Sequence, residues 1–236
     1  MRVALLLCDD IRAELQNEFG NYPESFANLF EAAGCELEIH TFRVLDGKYP
    51  SKLDLYDAFI TSGSKFGVND ELDWIRELEK FVFRLHQEQR VLIGICFGHQ
   101  LIAKVLGGLV EQANQGWGVG VHSSKFYSKP AWIGDAKDSF DLLVSHQDQV
   151  THLPNGASTL AGSDFCPNSL VQFSPRFLGV QGHPEFTADY SRALIKLRSE
   201  SYSQDVMEQG LKSTYQHIDS LLLARAIINF IAMQTT

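Results

Sequence analysis

The chain has 236 residues, 44% of them hydrophobic and 21% charged, with a formal net charge of −9. This size and balance suit a globular protein that buries a full core. The acidic excess, with no cluster of Lys and Arg, argues against nucleic acid and anionic membranes as partners.

Val3–Cys8 is a continuous apolar run, as expected of a strand covered on both faces. The start Met1–Asp10 is too short for a signal peptide and lacks a small-residue cleavage site. Pro23–Ala33 has helical spacing (Phe26, Leu29, Phe30, Ala33) and stops at Gly34. Glu36–Phe42 alternates as a strand, and Tyr56–Thr61 is a further strand that closes on Ser62-Gly63-Ser64. Asn69–Gln89 predicts a long amphipathic helix with Leu72, Ile75, Leu78, Phe81, Val82 and Leu85 towards the core. Val91–Ile95 is strand-like and passes at once into a helical pattern. This alternation predicts a parallel sheet with right-handed crossovers. After Gly107-Gly108, short strand-like pieces between Leu109 and His146 suggest antiparallel hairpins laid on the sheet. Leu142–Val144 and Leu170–Phe173 read as strands and Phe177–Gly182 as the last one. Thr187–Arg198 reads as a helix, Ser199–Thr214 as a polar surface loop, and Ile218–Met233 as a closing amphipathic helix. The apolar segment Leu221–Met233 is interrupted by Arg225 and is shorter than the ~20 residues that span a bilayer. The expected fold is a single α/β domain: a mostly parallel central sheet flanked by helices, with a small antiparallel β element.

Gly94-Ile95-Cys96-Phe97-Gly98 stands at a strand-to-helix junction, with a glycine on each side of a central Cys. This is the layout of a nucleophile elbow: the turn strains the central residue and requires small neighbours. It also places the thiol at the positive end of a helix, a setting that lowers a Cys pKa from ~8.5 towards ~3.5–7.5. Taken alone, the pattern also suits a buried Cys in an ordinary βα turn.

A Cys nucleophile needs a base, and the base an orienter. Of eight His, His183 lies in Gln181-Gly182-His183-Pro184-Glu185, directly after a predicted strand. Pro184 biases His183 towards an extended backbone, which turns His183 and Glu185 to the same side. Thr61–Gly67 ends another strand, and the N–H groups near Gly63, with that of Phe97, suit an oxyanion. Gln100 lies one helical turn beyond Cys96, and Ser145-His146-Gln147-Asp148 supplies polar groups for a charged substrate end. His99 faces sideways and reads as structural. Four Cys (8, 35, 96 and 166) show neither a disulfide framework nor zinc spacing, and no metal, ATP or other cofactor motif is present. A soluble, cytoplasmic protein with reduced thiols is expected.

Taken in order, Gly-Ile-Cys96-Phe-Gly-His-Gln, Ser-His146-Gln-Asp148-Gln-Val and Gly-Val-Gln-Gly-His183-Pro-Glu185 resemble the class I (triad) glutamine amidotransferases. The likeness is greatest to the stand-alone branch that includes the γ-glutamyl peptidases and is similar to the amidotransferase domain of GMP synthetase. It implies a flavodoxin-like amidotransferase domain over residues 1–190, with 191–236 as a helical extension packed on it. It also implies that Cys96 attacks a γ-glutamyl carbonyl, that His183 shuttles the proton, and that Glu185 orients it. Gly63 and Phe97 map onto oxyanion positions. Ser64, Gln100, Ser145, His146, Gln147 and Asp148 map onto the substrate site. The substrate is then glutamine or another γ-glutamyl small molecule. The chain is either an ammonia donor to a separate synthase subunit or a self-sufficient γ-glutamyl hydrolase or transferase. Two departures bear on specificity: Gln147 stands where Gly is frequent, and Gly182, where a bulky residue is common, suggests looser packing near the base. A non-catalytic binding protein on this fold, or a redox protein on a similar one, is the contrasting class; the Gln181–Glu185 motif argues against the redox reading.

Overall fold

Arg2–Leu7 (β1) shows how the sheet divides the molecule. Alternate side chains of a strand face opposite ways. Val3, Leu5 and Leu7 therefore enter one buried cluster, and Ala4, Leu6 and the following Cys8 the other. The computed structural model describes residues 1–134 and 137–235. Asp135 and Ala136, inside the expected hairpin region, and Thr236, at the end of the expected extension, lie outside the described residues.

In chain order β1 is followed by α1 (Ala13–Phe19), α2 (Tyr22–Ala32), β2 (Glu38–Arg43), β3 (Ala58–Thr61), α3 (Asp73–Gln87), β4 (Leu92–Ile95) and α4 (Phe97–Val105). Then come β5 (Leu109–Gln112), β6 (Gly118–Phe126), β7 (Ser139–His146), β8 (Asp148–His152), β9 (Ser158–Gly162), β10 (Leu170–Ser174) and β11 (Phe177–Val180). Helices α5 (Ala188–Leu197), α6 (Gln204–Ser213) and α7 (Ser220–Thr235) complete the chain. The α/β fold is built on a nine-stranded sheet in the order β2-β1-β3-β4-β11-β10-β9-β6-β7. Its run from β2 to β11 is parallel. A separate two-stranded antiparallel sheet pairs β5 with β8.

Helices cover both faces. Ile75, Leu78, Phe81, Val82 and Leu85 of α3 recur at helical spacing and pack with Leu101 and Ile102 of α4 on one face. Phe26, Leu29 and Phe30 of α2 pack with Leu223, Ile227 and Phe230 of α7 on the other. Helix α2 starts on a capping box, with Asn21 and Glu24 each accepting from the other's backbone end. Among the described residues no helix is long and apolar enough to cross a membrane.

Three expectations need correction. Between Leu109 and His146, β5 enters the expected small antiparallel sheet with β8, but β6 and β7 do not lie as a hairpin on the main sheet. Instead β10, β9, β6 and β7 extend it through antiparallel pairs. Ser199–Thr214 is not a loop: it contains α6, capped by Ser203 on Val206. Helix α6 is polar because Gly210 alone among its residues is buried, pressed against Val119 of β6. Gly182 does not loosen its surroundings, since a Cβ there would stand 3.0 Å from Leu142 Cβ and 3.3 Å from the Leu143 carbonyl. The neighbouring strand already fills the space. Helix α1 had no clear sequence signal, with a single buried residue, Leu15, and no side-chain cap.

Candidate active site

Cys96 is the single residue between β4 and α4, with φ 48° and ψ −95°. A non-glycine residue in such a conformation costs about 1–3 kcal/mol and persists only where its surroundings enforce it. Two glycines do so here. A Cβ on Gly94 would lie 2.5 Å from the backbone of Gly98, and one on Gly98 would lie 1.6 Å from Thr61 Oγ1. The Cys96 N–H donates to the Val180 carbonyl at 2.8 Å, which ties the elbow to the end of β11. Its side chain is 6% exposed and lines a cleft of about 280 Å³.

Beyond β11, His183 N–H donates to the Leu143 carbonyl at 2.8 Å, fixing the turn against β7. His183 Nδ1 lies 2.8 Å from Glu185 Oε1, and the Cys96 sulfur acts on the imidazole electrostatically. Phe186 stacks on one face of the ring, 3.9 Å between centroids and 7° from parallel. Gly63 closes in on its edge, where a Cβ would stand 2.7 Å from His183 Cε1. His183 and Glu185 are both buried. Burial alone drives an imidazole towards its neutral form, but the Glu185 carboxylate and the Cys96 sulfur outweigh it and His183 is pushed up to about 10. Glu185 Oε2 has no hydrogen-bond partner among the described residues, so the carboxylate's bonding goes to the imidazole.

Gly63 follows β3. Neither its N–H nor that of Phe97, the first residue of α4, bonds to another described residue. Both are free to meet a negative oxygen near Cys96, as first-turn N–H groups generally are. Ser64 stabilises the turn, donating to the Cys8 carbonyl and accepting from the Phe66 N–H.

The cleft at Cys96 is lined by Ser64, Phe97, Gln100, Ser145, His146, Gln147 and Asp148, so the structure brings these sequence-derived candidates together. They do not all present free groups to it. The Gln100 amide nitrogen donates to the Asp148 carbonyl at 2.8 Å and to Gln181 Oε1 at 3.1 Å. The His146 ring is buried, and burial holds it neutral with a pKa of about 3. The Gln147 carbonyl accepts from the Ala113 N–H. Asp148 is the charged member, its carboxyl raised by burial and by the neighbouring Asp70 carboxylate. His99 is wholly buried beside Phe173, where burial lowers it to about 3.

Sequence reasoning missed several residues here. Gln181 donates its amide to Cys96 Sγ at 3.5 Å and so links the thiol to Gln100. It falls inside the motif around His183, and its place at the end of β11 beside β4 was the available signal. Asp70, Trp117 and Arg198 also line the cleft. Arg198 stacks over Trp117 at 4.5 Å, a contact between distant segments that no local pattern reveals.

The family model for glutamine amidotransferase class-I matches residues 17–196, most of the chain, with Cys96, His183 and Glu185 inside the match. The chain belongs to the class I glutamine amidotransferase family. This amidotransferase-family chain is 31% identical over 244 residues to gamma-glutamyl peptidase 3 of Arabidopsis thaliana, covering 98% of this chain and 96% of that one. It is 31% identical over 150 residues to a glutamine-hydrolyzing GMP synthase subunit of Sulfolobus acidocaldarius, covering 63% of this chain and 78% of the other. The fold is similar to that of a glutamine amidotransferase from Thermotoga maritima, with a TM-score of 0.75 at 17% identity over 99% of this chain and 97% of that one.

Proposed function

We propose that this protein cleaves the γ-glutamyl amide bond of glutamine or a related γ-glutamyl compound, with Cys96 as nucleophile, His183 as acid–base group and Glu185 as its orienter. The observation that carries this reading is the buried chain of contacts from Cys96 through His183 to Glu185 at the ends of two adjacent parallel strands. Ligands of open α/β sheets bind beyond the carboxyl ends of the strands, where this chain of contacts lies.

The Cys96 sulfur forms a bond to the γ-carbonyl carbon, and the oxygen takes up the negative charge between the N–H groups of Gly63 and Phe97. As the tetrahedral intermediate collapses, the C–N bond breaks and His183 gives its proton to the departing nitrogen. The γ-glutamyl thioester remains on Cys96. Water then attacks it, His183 takes the water's proton, and glutamate leaves with the thiolate restored. Glu185 holds Nδ1 as the donor towards itself and leaves the other ring nitrogen to face the sulfur. The Asp148 and Asp70 carboxylates suit the α-ammonium of the glutamyl group, since a cation between them relieves their repulsion. Ser64, Gln100, Ser145, His146 and Gln147 shape the remaining walls.

End-to-end similarity to a γ-glutamyl peptidase supports a self-sufficient hydrolase over an ammonia-donating subunit, because the similarity to the synthase subunit is confined to part of the chain. No separate synthase is then required. Residues 1–190 form the catalytic domain, and 191–236 are the extension that closes its core. All four cysteines are free, which supports a reducing compartment such as the cytoplasm.

Glutamate release from glutamine and a panel of γ-glutamyl peptides, assayed on the purified chain alone, tests the reading. Turnover without a partner that disappears in Cys96→Ser is the expected result. Turnover that survives Cys96→Ser contradicts it.

A further inference from the structure

A second, smaller cleft adjoins the first, and His183 lies in its wall together with Asp9, Asp10, Arg12, Lys65 and Arg198. The two clefts share Ser64, Lys65, Ser145 and Arg198 as a common border. In the proposed reaction His183 hands its proton to the departing nitrogen from the ring nitrogen that faces Cys96, so the leaving group must extend along the edge of the glutamyl cleft nearest His183. The space that opens there, across the shared border and with His183 in its wall, is this cleft.

Its charges do not cancel. Asp9 is matched by Lys65, which reaches Oδ1 at 3.0 Å, while the Lys65 N–H donates to Oδ2. Asp10 is matched by Arg43, whose Nη1 contacts both carboxylate oxygens at 2.7 and 2.9 Å. Arg12 and Arg198 form no ion pair with a carboxylate among the described residues. Arg198 is nonetheless held in place, stacked over Trp117 and within 5.9 Å of the Tyr202 ring, with Nη1 at 3.4 Å from Ser145 Oγ. A guanidinium fixed in this way is prepared to meet an anion with little ordering cost. The cleft volume of about 50 Å³ is the space of about three or four waters, enough for a carboxylate and the carbon that bears it.

We infer that this cleft is a carboxylate subsite for the leaving group, so that the amine released from the γ-glutamyl bond is an amino acid or peptide whose own carboxylate is held by Arg12 and Arg198. The inference rests on the γ-glutamyl cleavage proposed above and names the class of bond cleaved best. Ammonia from glutamine carries nothing that would engage the two arginines. A γ-glutamyl amino acid or peptide does.

The test compares a γ-glutamyl dipeptide bearing a free C-terminal carboxylate with the same compound as its C-terminal amide, with glutamine alongside, on the full chain. Wild type is expected to favour the free acid in kcat/KM by about tenfold or more, as charge-assisted hydrogen bonds of this kind contribute. Arg12→Gln and Arg198→Gln should each bring that ratio towards one, and Arg12→Lys should retain much of it. Equal rates for acid and amide in wild type overturn the subsite. So do variants that slow acid, amide and glutamine alike, which would place the arginines at the glutamyl end or in a structural role. If no γ-glutamyl substrate is cleaved, the reaction itself is wrong and the subsite falls with it.

Discussion

Among the described residues Glu185 has one side-chain partner, His183, and removing its charge isolates that contact. Glu185→Gln keeps the shape but puts an amide against Nδ1. The variant should lose about 10²–10⁴-fold in kcat/KM. The same pair carries a pH signature in stability. His183 is raised to about 10 in the folded chain, against ~6.5 for a free imidazole. Its contribution to stability is therefore complete below pH ~6.5 and is lost as pH rises through about 10. The difference in melting temperature between wild type and Glu185→Gln should be larger at pH 6 than at pH 10, as scanning calorimetry at the two pH values would show. An equal difference would mean that the ion pair is not what stabilises the turn. Much of this site was legible in the sequence at this scale. Cys96, with glycines two residues to either side, and His183 with Glu185 two positions on, are local patterns with local causes. Gln181 bonding to Cys96, and Gln100 spending its amide on Asp148 and Gln181, depend on strand neighbours far apart in the chain.

At the scale of elements, the elbow is a junction where β4, α4 and β3 meet without room for one extra methyl group. Gly98→Ala places a Cβ 1.6 Å from Thr61 Oγ1, so α4 must shift from β3 or the elbow must open. The variant should unfold at lower denaturant, by more than the ~1–3 kcal/mol common for overpacking. Adding Thr61→Ala should recover part of the loss, even though it removes the acceptor for the Ile95 N–H. A double variant no more stable than Gly98→Ala would show that another contact causes the damage. Strands β1, β3 and β4 and helices α2, α3 and α4 follow their patterns closely because the strands are buried on both faces and α2 and α3 along one stripe, whereas α1, with one buried residue, does not. Beyond Gly108 the patterns weaken, since strands there pair antiparallel at the outer part of the sheet and expose alternate residues. Helix α6 escaped notice for a related reason: it docks through Gly210, a residue that carries no hydrophobic signal.

For the whole molecule, the closing helix determines whether the site's platform stays intact. Phe230 is fully buried and meets the Trp132 ring at 5.2 Å between centroids, in the same core that holds Ile93 and Ile95 behind Cys96. Phe230→Ala should cost about 3–5 kcal/mol of stability in denaturant titration. Well below its melting temperature it should retain the wild-type kcat, because α7 contributes no residue to the cleft lining at Cys96. The role of Cys96 has a direct test in the chemistry of the four thiols. Burial raises Cys8 well above the ordinary thiol range and pushes Cys166 up to about 12, holding both as unreactive thiols at neutral pH. Cys96 alone among the four lies in the cleft beside His183. Incubation of the folded chain with a glutamine-mimicking electrophile, followed by peptide mass mapping, should find one adduct per chain, on Cys96, and glutamine should protect against it. Adducts on Cys8, Cys35 or Cys166 in place of Cys96, or no adduct at all, would contradict the account.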